Sequence, residues 1–260
     1  MFTAGIDMGA KTIKVLLLRD GEVVGRAIKL AGFETVQAAD ETMQAALAQA
    51  GIARSDVDAI VATGAGRDDA PQKDRCVSEV GCAVRGAVHM FPEARMVIDV
   101  GAEEGRAIRC NESAKVVDFA INEKCAAGAG AFTEAMARAL ELPIEELGPL
   151  SLQSTEAIPM NAQCAVFAES EVVSMIHNNV SKPDMARAVH DAIASRIISM
   201  VRKVGYERPV VLVGGMAKNV GFVESLKRGL EIDDLYIPDE PEFCSAFGAA
   251  LAAAEVSGRV

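Results

Sequence analysis

The sequence predicts an α/β fold of two lobes built on one duplicated unit, and three observations predict it. First, Gly5-Ile6-Asp7-Met8-Gly9-Ala10 recurs as Val97-Ile98-Asp99-Val100-Gly101-Ala102, with Asp, Gly and Ala repeating at an offset of 92 residues (99 − 7). Lys14 and Arg106 keep the same offset. Second, β-rich apolar runs alternate with Ala-rich stretches of helical period, the pattern of a mixed sheet-and-helix chain. Third, the 260 residues are 50% hydrophobic and 24% charged, enough for a sizeable core without disulfides.

The elements follow in order. Strands are predicted at 4–8, 13–19 and 22–30, the last two joined by the tight-turn pair Asp20-Gly21. A helix over 35–50 presents Val36, Ala39, Met43, Ala46, Leu47 and Ala50 on one face and stops at Gly51. A buried strand over 57–62 runs into Thr63-Gly64-Ala65-Gly66. The second copy supplies strands at 96–100, 106–110 and 115–121. Helices are predicted at 131–140, 166–177 and 184–204. A strand over 210–213 enters Gly214-Gly215, and a helix at 221–230, a short strand at 235–237 and a final helix at 243–255 complete the chain.

Charge and composition exclude some functions. A net charge of −11 with no Lys/Arg cluster argues against nucleic acid, whose binding rests on phosphate contacts. No run approaches the roughly 20 apolar residues of a membrane span, and no secretory leader is visible, so a cytoplasmic protein is expected. None of the six cysteines, Cys76, Cys82, Cys110, Cys125, Cys164 and Cys244, forms a Cys-x-x-Cys pair. In a reducing compartment they are not a disulfide framework, and the bland reading is small buried side chains.

Asp7-x-Gly9 ends one strand and turns into the next. Glycine permits close backbone approach to a ligand, and successive N–H groups in such a turn form an anion nest. Lys11 and Thr12 add a charge and a hydroxyl. A carboxylate beside phosphate is repulsive unless a cation stands between them, so Asp7 points to Mg²⁺ held through water. Asp99-x-Gly101 repeats the logic. Either turn alone reads equally as a hairpin that begins with an acid; two at matched positions predict a nucleotide held from both sides. Gly214-Gly215-Met216-Ala217-Lys218-Asn219 follows a strand and suits a flat adenosine. No Walker or Rossmann glycine pattern is present. The ATP-contact candidates are Gly9, Ala10, Lys11, Thr12, Lys14, Gly101, Ala102, Gly214, Gly215, Lys218, Asn219 and, in the last helix, Gly248.

Asp7-x-Gly9, Asp99-x-Gly101 and Gly214-Gly215, in that order, resemble the sugar-kinase/Hsp70/actin ATPase superfamily. The resemblance implies duplicated ribonuclease-H-like lobes with ATP in the interlobe cleft. It also implies that the last helix returns to the first lobe, giving lobes of 1–94 with 242–260, and 95–241.

Cys125 and Cys164 each stand just before a helix, whose N-terminal N–H groups lower a thiol pKa and favour a metal-bound thiolate. An iron–sulfur cubane needs four thiolates, and a two-fold dimer of this chain would bring four. On spacing alone, ordinary core cysteines account for the pair better. The segments Asn122-Glu123-Lys124-Cys125-Ala126-Ala127-Gly128 and Cys164-Ala165-Val166-Phe167-Ala168-Glu169-Ser170-Glu171-Val172 are similar to the signatures of the activator ATPases of 2-hydroxyacyl-CoA dehydratases and benzoyl-CoA reductases. Val61-Ala62-Thr63-Gly64, Val189-His190 and Ala194-Ser195-Arg196 fit the same family, and the similarity spans essentially the whole chain.

That resemblance implies a homodimer, or a heterodimer with a related ATPase subunit, holding one 4Fe-4S cluster through Cys125 and Cys164 of each subunit. It further implies ferredoxin or flavodoxin as electron donor, and ATP-driven transfer to CoA-ester reductase or dehydratase subunits. Where many members carry Gly-Gly-Gln-Asp, this chain has Gly101-Ala102-Glu103-Glu104, which makes Glu103 the candidate base beside Asp7 and Asp99. Ala65 stands where an aromatic is common. Ala83–Val88, Pro92–Arg95 and Gly105–Arg109 look closer to a benzoyl-CoA reductase subunit, with a dehydratase activator as the alternative. A small-molecule kinase of the same fold, lacking a cluster, is the alternative of another class.

Overall fold

A computed structural model describes residues 1–122, 129–160 and 165–258; Cys125 and Cys164 both lie outside the described residues. The chain divides into two compact units, Met1–Ala94 with Cys110–Val117 and Glu242–Val260, and Arg95–Arg109 with Asp118–Pro241.

The first unit is a five-stranded sheet of order β3-β2-β1-β4-β5. Its strands are β1 (Phe2–Met8), β2 (Thr12–Arg19), β3 (Glu22–Leu30), β4 (Ala59–Thr63) and β5 (Arg75–Cys76). β1, β2 and β3 form an antiparallel meander, and β4 joins β1 in parallel. Period-2 alternation sends Ala4, Ile6 and Met8 with Ile13, Val15 and Leu17 to one face, where α1 (Thr35–Ala50) packs through Ala39, Met43 and Leu47. Leu16 and Leu18 on the other face meet Phe247 and Ala250 of α8 (Cys244–Val256), and Ala59 and Val61 meet Ala249 and Ala253 of the same helix. α8 rides directly on β1: a Cβ at Gly5 would stand 1.9 Å from Ala246 O.

Sequence patterning assigns no element to 79–90, yet α2 (Glu79–Met90) forms there, capped by Ser78 Oγ, which accepts from the Gly81 N–H at 3.2 Å. Gly81 and Gly86 weaken its intrinsic propensity. Tertiary packing overrides that, because Gly86 lets α8 approach until a Cβ would meet Cys244 O at 2.3 Å.

The second unit repeats the plan, with strand order β10-β9-β6-β7-β8. The strands are β6 (Met96–Val100), β7 (Gly105–Cys110), β8 (Val116–Asn122), β9 (Val210–Val213) and β10 (Leu235–Tyr236). β6 pairs antiparallel with β7 and parallel with β9, as β1 does with β2 and β4. The helices are α3 (Ala129–Ala139), α4 (Ile144–Ser151), α5 (Ala165–His177), α6 (Lys182–Val204) and α7 (Val220–Leu230). Met96, Ile98 and Leu212 of the sheet share one core with Phe132 and Met136 of α3 and Val189, Ile193 and Ile197 of α6. α4 escapes sequence patterning because Gly148 and Pro149 interrupt its period. α6 starts earlier than the sequence period suggests, because Ser181 Oγ accepts from the Asp184 N–H and Pro183 fits the first turn. Among the described residues, no helix is long and apolar enough to cross a membrane.

Candidate functional site

The strand-end turn of the first unit is built on a row across β2, β1 and β4. Register pairs Asp7 with Lys14 on one side and with Thr63 on the other, so the three side chains share one face of the sheet. Lys14 Nζ donates to Asp7 Oδ2 at 3.0 Å, and these side chains are only 13% and 11% exposed. Neutralisation by Lys14 is what makes a carboxylate tolerable so deep in the sheet. Gly9 lies above the pair; a Cβ there would meet Thr12 O at 2.8 Å and Lys14 Nζ at 3.0 Å. The turn after β4 packs on the same spot. Gly64, at φ 94°, presses on the Met8 backbone so closely that a Cβ would lie 2.6 Å from it, and the Gly66 N–H donates to Met8 O at 3.0 Å.

The second unit builds the same row from different residues. Register pairs Asp99 with Arg106 and with Val213. Arg106 Nη1 donates to Asp99 Oδ2 at 3.0 Å, and Nη2 reaches Glu104. Gly214, at φ 86°, leans on this turn as Gly64 does on the first: a Cβ would stand 2.4 Å from Val100 O and 2.7 Å from Asp99 Oδ1. The turn is closed by the Gly101 N–H donating to Glu104 O at 2.9 Å. Two of its carbonyls, Gly101 O and Ala102 O, accept from the Gly130 and Ala131 N–H groups at 3.2 and 2.9 Å, so the first turn of α3 hangs from it.

The structure places the remaining candidates as follows. Ala10 and Lys11 are exposed at the tip of the first turn and Glu103 at the tip of the second. Thr12 opens β2. Gly215 begins a short 3-10 turn with open space where a side chain would point, room that a planar ligand could use. Lys218 ends that turn, exposed, and Asn219 caps α7, its Oδ1 accepting from the Gly221 and Phe222 N–H groups at 3.0 and 3.1 Å. Gly248 lies buried inside α8, where a Cβ would stand 1.9 Å from Cys82 O, so its visible work is helix packing. The hard oxygen donors Asp7, Asp99 and Thr12 suit a hydrated Mg²⁺ rather than a soft metal. Among the described residues, no group of three or more His, Cys, Asp or Glu side chains could hold a metal ion directly.

Sequence reasoning missed the third member of each row. Thr63 and Val213 come 56 and 114 residues after their aspartates (63 − 7, 213 − 99), so no single offset reveals that they correspond. It also missed the second partner of Arg106. An acid two residues before a base on an antiparallel turn was the available signal.

The buried thiol of Cys82 on α2 faces the first row. Burial pushes its pKa up to about 11; the Thr63 hydroxyl works against that, and the charge of Asp7 adds to it. In the second unit, His190 of α6 is fully buried and held down to about 4, chiefly by burial.

Comparison with known proteins agrees with this architecture. The chain is 36% identical over 258 residues to the activator of lactoyl-CoA dehydratase of Anaerotignum propionicum, covering 99% of each. It is 35% identical over 260 residues to a benzoyl-CoA reductase subunit of Thauera aromatica, covering 96% of this chain and 92% of that one. The solved activator of the 2-hydroxyisocaproyl-CoA dehydratase from Clostridium difficile, with bound ADPNP, superposes with a TM-score of 0.92 at 33% identity, covering 99% of this chain and 96% of that one. A ROK family glucokinase from Streptomyces griseus, at TM-score 0.61 and 14% identity over 98% of this chain and 100% of that one, shares the fold alone. The two sheets are thus lobes of the actin/Hsp70/sugar-kinase type. With residues 4–253 matching its pattern, the chain belongs to the BadF/BadG/BcrA/BcrD ATPase family.

Proposed function

We propose that the chain is an ATP-dependent activator that passes single low-potential electrons to a CoA-ester dehydratase or reductase. The observation that carries the reading is the duplicated turn: a buried aspartate held by a cation at the end of the central strand of each sheet. In this reading the lobes are 1–94 with 242–260, and 95–241, and each contributes its strand-end turn to nucleotide binding. The turns at Gly9-Ala10 and Gly101-Ala102 approach the phosphates, with Lys11, Thr12 and Lys14 adding charge and a hydroxyl. Asp7 and Asp99 hold Mg²⁺ through its water, Gly214 and Gly215 with Lys218 and Asn219 receive the adenosine, and Glu103 orients the attacking water.

The same reading gives Cys125 and Cys164 from each of two subunits to one 4Fe-4S cluster, reduced by ferredoxin or flavodoxin. When bound, such a cluster supplies the one-electron chemistry. Anaerobic purification with iron analysis and electron paramagnetic resonance is the test: about four irons per dimer in the wild type and none in Cys125→Ser, with ATP binding intact, is the expected result. Colourless, iron-free protein that still hydrolyses ATP would remove the electron-transfer half of the proposal.

Benzoyl-CoA reductase is the finer reading, supported by the segments 83–88, 92–95 and 105–109. Reconstitution decides it: ATP-dependent activity should appear with benzoyl-CoA reductase subunits and not with 2-hydroxyacyl-CoA dehydratase subunits, and the reverse outcome transfers the assignment to dehydration.

A further inference from the structure

Thr63 is a hydroxyl in a place where the fold does not require one. It is fully buried, and among the described residues its Oγ1 has no oxygen or nitrogen partner; the Cys82 thiol beside it is a weak hydrogen-bond partner. A buried hydroxyl without a proper partner lowers stability, and valine has nearly the same shape. The duplicated unit makes that exchange: the residue paired with Asp99 is Val213, equally buried. The first unit therefore retains a group that the second does without, on the same face of the sheet as Asp7 and one strand away from it. Asp7 lies between two potential donors. Lys14 on β2 holds its Oδ2, and Thr63 on β4 stands on the opposite side.

We infer that Thr63 is a positioning residue of the Asp7 site: its O–H takes hold of the Asp7 carboxylate when Lys14 turns from Asp7 to a nucleotide phosphate, and keeps that carboxylate aimed at the water shell of Mg²⁺. The inference rests on the nucleotide reading above. A phosphate that draws the Lys14 ammonium toward itself weakens its hold on Asp7 Oδ2, and a carboxylate whose cation is drawn away needs a replacement donor in so buried a row. Arg106 differs in the second unit. Its fork serves Asp99 and Glu104 through separate nitrogens, so Asp99 keeps its cation and a valine suffices at Val213.

The test uses the full chain with Thr63→Val, Thr63→Ser and Cys82→Ala, read by melting temperature, Mg-ADP binding and steady-state ATP hydrolysis. Thr63→Val should melt at the same temperature or a few degrees higher, because it removes an unsatisfied hydroxyl. It should raise the Mg²⁺ concentration for half-maximal hydrolysis and lower kcat by about tenfold, with the KM for ATP within about threefold. Thr63→Ser should restore both parameters, and Cys82→Ala should leave them unchanged. Wild-type kcat and Mg²⁺ dependence in Thr63→Val would overturn the inference, as would a loss in Cys82→Ala equal to that in Thr63→Val, which would make the thiol the partner of Thr63. A wild type that binds no Mg-ADP overturns the nucleotide reading itself, a result separable from either of these.

Discussion

The turns that follow β1 and β6 share a backbone and differ in chemistry. Each carries an aspartate pinned by a base seven residues on, and each is pressed by a left-handed glycine from the neighbouring parallel strand, Gly64 or Gly214. Around that frame the first turn is basic and hydroxylated, with Lys11, Thr12, Lys14 and Thr63. The second is acidic, with Glu103 and Glu104 around Arg106, and it carries the start of an α-helix, α3. Duplication thus preserved what the backbone needs and freed what the ligand sees. In the proposed function the first turn meets phosphate oxygens, and the second orients water and passes a displacement to α3.

The frame is where the comparison can be broken most severely. Gly64→Ala and Gly214→Ala should each destabilise their unit by about 4 kcal/mol or more, since each combines a positive φ with a Cβ inside contact distance of backbone. Denaturant unfolding checks this, and a large loss for one but not the other would show that the two glycines are not equivalent. Next comes the cation. Arg106→Met removes the charge that Asp99 and Glu104 share and should cost about 3 kcal/mol, whereas Lys14→Met, which affects one carboxylate, should cost about 1–2 kcal/mol. Equal losses would mean that the fork of Arg106 contributes nothing beyond its charge.

Acid should separate the units by an amount comparable to the Lys14→Met loss. The folded-state pKa of His190 lies near 4, below its ordinary value of 6.5, so the unfolded chain binds a proton that the folded one refuses. Its contribution is complete above about pH 6.5 and declines as pH falls toward 4, reaching a loss of about 2 kcal/mol by pH 5. Hydrogen exchange should show α6 and α7 loosening first, and His190→Gln should flatten the slope. Smallest of all, Gly215→Ala should change stability by less than about 0.5 kcal/mol, since its Cβ would meet open space, while weakening ATP binding measured by calorimetry. Unchanged affinity would place the adenosine elsewhere.

Much of this was legible beforehand. The offset between Asp7 and Asp99 is local information, because each strand–turn–strand unit is a hairpin whose register fixes which residues face one another. The Lys14–Asp7 and Arg106–Asp99 pairs follow from that same register. Helices α2 and α4 were hidden because their glycines and Pro149 weaken local preference, and only packing, as between Gly86 and the backbone of Cys244, stabilises α2 enough to form.

By itself, then, the sequence determined the repeated hairpin, the alternating faces and the aspartates at the strand ends, because each depends on neighbours within about twenty residues. Tertiary structure alone decided that Thr63 and Val213 complete the rows and that Gly64 and Gly214 press on them. Those residues arrive by parallel pairing after intervening chain of very different length, and parallel partners are chosen by how whole sheets and helices pack. The same cause set the roles of Gly248, Asn219 and Gly130, each defined by what a distant segment places against it.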